Sequence, residues 1–200
     1  MKSCETLPEG YSLSFSIDLQ KDKKLMLLVN GIALLITAVM VVIMVLIVPF
    51  SDVIEYISDH VTQRKYLICM VILIVSMILY IILHEAIHGI TMKLYGSQKV
   101  RFGFTGVYAF AGSDTYFAKK PYLMIALAPV VVFGVIFAVL QLLMPNPFYT
   151  WLVYVLQIIN VSGAGGDLYV SIRFSKLPAD ILVQDSGVGM KVFTRKHEQS

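Results

Sequence analysis

Residues 78–96 read ILYIILHEAIHGITMKLYG and set three ionisable groups, His84, Glu85 and His88, inside a run that is otherwise apolar. Each group is costly to remove from water, so the reading turns on whether the run lies in a membrane. Upstream the apolar character continues to Tyr66, giving a stretch over 66–95. That exceeds the roughly 20 residues that cross a bilayer at about 1.5 Å per residue. Three further stretches, 25–48, 122–144 and 148–172, meet the same rule.

Composition agrees. The 200 residues are 58% hydrophobic and 14% charged, with a mean hydropathy of +0.77. Soluble domains carry about 25% charge, so residues 1–200 read as one compact membrane-embedded domain. A net charge of +3, with no basic cluster interleaved with aromatics, excludes a nucleic-acid partner. Cys4 and Cys69 form neither a disulfide framework nor a metal knuckle and read as reduced thiols.

The first apolar stretch starts too late and lacks a small-residue cleavage site, so it reads as a retained helix. Pro145-Asn146-Pro147 makes a tight turn between the last two, which form a hairpin. Charge orients the set. Lys21, Lys23 and Lys24 precede the first helix, and Lys93, Lys99, Arg101, Lys119 and Lys120 separate the second from the third. Arg173 and Lys176 follow the fourth, so nearly all basic residues fall on one side. By the positive-inside rule that side, with both termini, is cytoplasmic.

Three short segments alternate with a strand's period of two. Tyr11 to Leu19 does so in the amino-terminal region 1–24, and Val100, Phe102 and Phe104 open a hairpin over 99–118 at Thr105-Gly106. In the tail, 177–200, ILVQ and MKVFT flank the turn DSGVG. These segments are expected to gather into a small cytoplasmic sheet. The fold class read from the sequence is therefore an all-α integral membrane protein of about four transmembrane helices with short cytoplasmic β-strands.

His84 and His88 are four residues apart, so on a helix both rings project from one face, one turn apart, where they can grip one metal. Zinc suits such nitrogen and oxygen donors and, in a catalytic site, keeps one position for water. Glu85, beside the first ligand, is placed to take a proton from that water and hand it to a leaving amine. A structural role would oblige the protein to offset three desolvated groups in one helical turn for nothing.

A third ligand is required, and the inventory is short. His60 and His197 lie in a loop and the tail, and Asp114, Asp180, Asp185 and Glu198 lie in loops or tail segments. That leaves Asp167, in IINVSGAGGDLYV. Depth agrees: His84 is eighteen residues below Tyr66 and Asp167 nineteen below Phe148. Both thus fall roughly 27 to 29 Å from the outer boundary, near the cytoplasmic edge. Ser162 to Gly166 remove side-chain bulk and let another helix approach, which plain helix packing would explain equally well. Asn160 shares a face with Asp167 and fits either a substrate carbonyl or a bond between helices, an ambiguity that Asn30 shares. Tyr80 reads as a packing residue, and Pro129 in IALAPVVV as a kink that opens space beside the site.

An H-E-x-x-H helix, a later apolar helix with Asn160 and Asp167, and a β-rich stretch between them resemble the site-2 protease class of intramembrane zinc metalloproteases. More narrowly, LPEGYSLSFSIDL, ALAP, NVSGAGGDL and LPADILVQD are similar to a family of small bacterial membrane proteins, the "putative zincin peptidases". The resemblance covers nearly the whole chain. It implies a multi-pass protein of the bacterial plasma membrane, with His84, His88 and Asp167 on zinc, Glu85 as base and Asn160 touching substrate. Where site-2 proteases show N-x-x-P-x-x-x-x-D-G, Gly163 replaces the proline, the Asn to Asp spacing is shorter and Leu168 follows the acid.

The expected reaction is hydrolysis of a peptide bond in or beside a transmembrane segment of a membrane protein. A helical substrate hides its carbonyls, so it must unwind first. The strand edge VRFGFTGVYAF, with Phe102 and Phe104, is the place for the extended segment to pair. A metal-handling protein would show several sites along a path, and a non-catalytic zinc scaffold would have no use for Glu85.

Overall fold

The computed structural model describes residues 2–18, 21–106 and 108–195. Leu19, Val107, His197 and Glu198 lie outside the described residues. Chain order runs β1 (Ser3–Cys4), β2 (Tyr11–Ile17), α1 (Lys23–Ile47), α2 (Phe50–His60), α3 (Gln63–Leu94), β3 (Val100–Phe104), β4 (Ala109–Ser113) and β5 (Tyr116–Ala118). It continues with α4 (Lys119–Leu143), α5 (Pro147–Gly163), α6 (Gly165–Ser175), β6 (Leu182–Asp185) and β7 (Met190–Arg195).

Among the described residues three helices, α1, α3 and α4, are long and apolar enough to cross a membrane. Their side chains face outward, as at Leu46 (78% exposed) and Leu142 (86%). Faces so apolar are untenable in water, which associates the chain with a lipid phase. The fourth predicted helix, 148–172, is instead two shorter ones. Asn146 caps α5, accepting from the Tyr149 N–H at 3.1 Å, with Pro147 in the first turn. That helix stops at Ala164, whose backbone leaves the helical region at φ −80°, ψ 18°. Each glycine of the flanking Gly163, Gly165 and Gly166 costs about 1 kcal/mol of helix propensity, so the chain restarts there as α6. The restart puts Asp167 in the first turn of a helix, where exposed N–H groups favour a carboxylate.

The chain divides into two compact units. One comprises Met1–Val29, Ile82–Pro129 and Gly166–Ser200. It contains an antiparallel sheet in the order β1-β5-β6-β7-β2 and a separate ribbon, β3-β4. The sheet is larger than an all-α reading allows, and it takes only β5 from the 99–118 region, the hairpin staying apart. Gly106, at φ +90°, makes the predicted turn, closed by Thr105 N–H donating to Tyr108 O at 3.0 Å. Met92 of α3, Tyr122 and Ile125 of α4, and Val170 and Phe174 of α6 pack with Ile181 on Phe117, Val183 and Val192 of the sheet as one core. Lys119, at the start of α4, donates to Ser175 O at 2.8 Å and so meets the carbonyl end of α6.

The other unit comprises Asn30–Ile81 and Val130–Gly165. Aromatic residues with polar tips hold it: Trp151 Nε1 donates to Val48 O at 3.2 Å and Tyr154 to Met40 O at 2.9 Å. Tyr80 packs edge-on against Phe133, ring centroids 5.0 Å apart.

Candidate metal centre

Helix geometry carries His84 and His88 to one side of α3, ring centroids 4.9 Å apart. Asp167 meets them from α6. Its Oδ2 lies 3.4 Å from His84 Nε2 and 3.5 Å from His88 Nε2. Glu85 offers a further carboxylate, and ligand atoms of His84, Glu85 and His88 all fall within 4.8 Å of one another. Both imidazoles are about nine-tenths buried, while the Asp167 side chain keeps 24% of its surface exposed.

The donor set fits a metal ion. His88 Nδ1 lies 3.0 Å from Ile125 O, and a carbonyl only accepts, so this nitrogen carries the proton. In the neutral ring Nε2 is then a lone pair aimed at a carboxylate oxygen, an arrangement that either a metal ion or a second proton on the ring relieves. Separations of 3.4 and 3.5 Å exceed the roughly 2.7–3.2 Å of a good N–H···O bond. They match the edge of about 3.3–3.4 Å in a tetrahedron of zinc bonds about 2.0–2.1 Å long. A ligating histidine whose other ring nitrogen donates to a backbone carbonyl is the usual outer support of such a site.

Several supports come from backbone and tail. The backbone N–H of Ala111, in β4, lies close to the Glu85 carboxylate. The ladder explains why that N–H is available. Thr105 and Tyr108 form a bonded pair, so by alternation Phe102 and Ala111 form an unbonded one whose N–H groups turn out of the ribbon. Phe102 lies across Gly89, where any Cβ would collide with its ring, and glycine next to His88 thereby seats the ribbon against α3. Tyr122, in the first turn of α4, donates to Asp185 Oδ2 at 2.8 Å, and Gly187 N–H meets Asp185 Oδ1 at 2.8 Å. Burial pushes the Asp185 carboxyl above the ordinary carboxylate value.

The remaining sequence candidates are Phe102, Phe104 and Asn160. Phe102 and Phe104 are 59% and 71% exposed on β3. Asn160 is 0% exposed and belongs to the unit without the metal cluster. Its Oδ1 accepts from Tyr80 at 3.1 Å, and its Nδ2 donates to Val130 O at 3.1 Å. Sequence reading missed Ile125, Ala111 and the Tyr122–Asp185 pair. The first two act through backbone atoms, which leave no signature in residue type.

Residues 77–182 match the sequence profile of the family described as "Putative zincin peptidase". The chain belongs to that zincin family. Membership implies zinc and metallopeptidase chemistry, and the matched region holds His84, Glu85, His88 and Asp167 together. An uncharacterized 24.7 kDa protein in the gap 5' region of Pyrococcus woesei is 33% identical over 129 residues, 60% of this chain and 53% of that protein. This zincin-family chain thus spans about half the length of the curated relative it matches. No solved structure matches it.

Proposed function

We propose that this zincin-family protein is an intramembrane peptidase that hydrolyses a bond in or next to a transmembrane segment of a membrane protein. His84, His88 and Asp167 hold zinc, and Glu85 is the general base. The observation that carries the reading is the convergence of His84 Nε2 and His88 Nε2 on Asp167 Oδ2 at 3.4 and 3.5 Å. When bound, zinc polarises the scissile carbonyl and makes water a nucleophile at neutral pH. Glu85, with the Ala111 N–H close by, takes one proton from the attacking water and returns it to the departing amine nitrogen. Asp167 balances charge beside the two rings.

The substrate must first expose its backbone, since a helix in lipid keeps every carbonyl bonded. An extended segment then pairs with the β3–β4 ribbon, with Phe102 and Phe104 gripping its side chains. Asn160 would reach a substrate only by giving up Tyr80 or Val130, so its part in this reading is to hold helices together.

Both termini are assigned to the cytoplasmic face of a bacterial plasma membrane, which needs an even number of crossings. Segment 147–175 supplies the fourth as a broken helix, tolerable where the freed backbone groups find protein or water partners. The test uses membranes of cells carrying wild type or Glu85→Gln. A full-length single-pass protein that accumulates only with Glu85→Gln, zinc content unchanged, supports the peptidase. Equal proteomes with equal zinc would instead favour a zinc scaffold.

A further inference from the structure

Pro129 lies inside α4 and has no N–H. In a regular helix the N–H of residue 129 would bond the carbonyl of residue 125, four positions back. Here the Ile125 carbonyl loses that donor, and the proline ring crowds it outward from the helix axis. Ile125 is 1% exposed, so its orphaned oxygen would bear the cost of an unmet buried acceptor unless another donor arrived. The donor that arrives is His88 Nδ1, at 3.0 Å.

We infer that Pro129 is a positioning residue for the metal centre: by removing one helical hydrogen bond it frees the Ile125 carbonyl to fix the tautomer and orientation of His88. The inference rests on the zinc reading of His84, His88 and Asp167, and it concerns how one ligand is aimed. Pro129, Ile125 and His88 all belong to one compact unit. Tyr122, one turn before Ile125, is bonded to Asp185 and anchors the same stretch of α4 from its other end.

A proline kept only for a bend predicts something different from a proline kept for a carbonyl. Pro129→Ala restores an N–H that competes for Ile125 O and removes a residue unfavourable in a helix interior. Zinc affinity, measured by chelator competition on the full chain in detergent, should fall about 10- to 100-fold, as for loss of an outer-shell partner. The melting temperature of the metal-free protein should stay level or rise. In metal-free protein labelled with ¹⁵N-histidine, the Nδ1–H form of His88 should lose population to the Nε2–H form. Pro121→Ala serves as a control, because Pro121 sits in the first turn of α4 and frees no carbonyl of that helix.

Wild-type zinc affinity and an unchanged His88 tautomer in a folded Pro129→Ala protein would overturn the inference. A Pro129→Ala protein that melts earlier than wild type and loses zinc with its fold would also overturn it, assigning Pro129 to packing. Should the wild type itself bind no zinc, the metal reading fails, and the tautomer measurement still decides whether Pro129 governs His88.

Discussion

Each of the two compact units holds a buried polar cluster built from the same two stretches of chain. In one, α3 gives Tyr80 and α5 gives Asn160; in the other, α3 gives His84 and His88 and α6 gives Asp167. The Tyr80–Asn160 cluster is closed: hydroxyl donates to amide oxygen, and amide nitrogen donates to Val130 O. Donors and acceptors alternate along it. The His–Asp cluster is different, since the second ring nitrogen of His88 faces an oxygen of Asp167 and the pair closes only with a metal ion or a further proton. Polarity inside an apolar chain therefore carries two meanings, and the pattern of donors tells them apart.

The largest effect should come from emptying the open cluster. Asp167→Ala or His84→Ala should weaken zinc binding by more than the about 100-fold that loss of an outer-shell partner costs, as measured by metal analysis after dialysis against a weak chelator. Retention of stoichiometric zinc in Asp167→Ala would end the comparison, because the acid would then be no ligand. Next in size is Glu85→Gln, which should keep its zinc and lose about 10²- to 10⁴-fold in cleavage rate of a model membrane substrate.

Proline at position 102 or 104 sharpens the comparison further. Both residues sit at unbonded positions of the β3–β4 ladder, so the substitution deletes an outward N–H without breaking the ribbon. Cleavage should be lost with zinc content unchanged. Full activity in both variants would remove the ribbon from substrate binding. The smallest effect belongs to the closed cluster: Tyr80→Phe leaves the Asn160 oxygen short of a donor and should cost about 1–3 kcal/mol in unfolding free energy, with zinc affinity untouched.

How much of this was legible in the sequence follows from which groups carry it. His84, Glu85 and His88 fall within two helical turns, so helix spacing alone brings them together whatever the surrounding fold. Asp167 was singled out by elimination and depth, and it lies beside both histidines although the helix holding it is broken at Ala164 in place of running on. Three of the segments read as strands appear as β2, the β3–β4 hairpin and the β6–β7 pair. The sheet order β1-β5-β6-β7-β2 was not legible, because two of its strands are only two and three residues long and their pairing is set by tertiary contacts. Asn160 shares its residue type and helical face with a substrate contact, and only the hydrogen bonds at both ends of its amide separate the two roles. Pro129 was visible as a kink; which carbonyl it frees, and for which ring, required the fold.

The central claim is that one divalent ion is shared by two imidazoles and one carboxylate. X-ray absorption at the zinc edge of the purified, zinc-loaded protein measures that shell directly. The account predicts four light-atom neighbours at about 2.0–2.1 Å with the multiple-scattering signature of two imidazoles. A shell containing sulfur, or one without imidazole scattering, would contradict it.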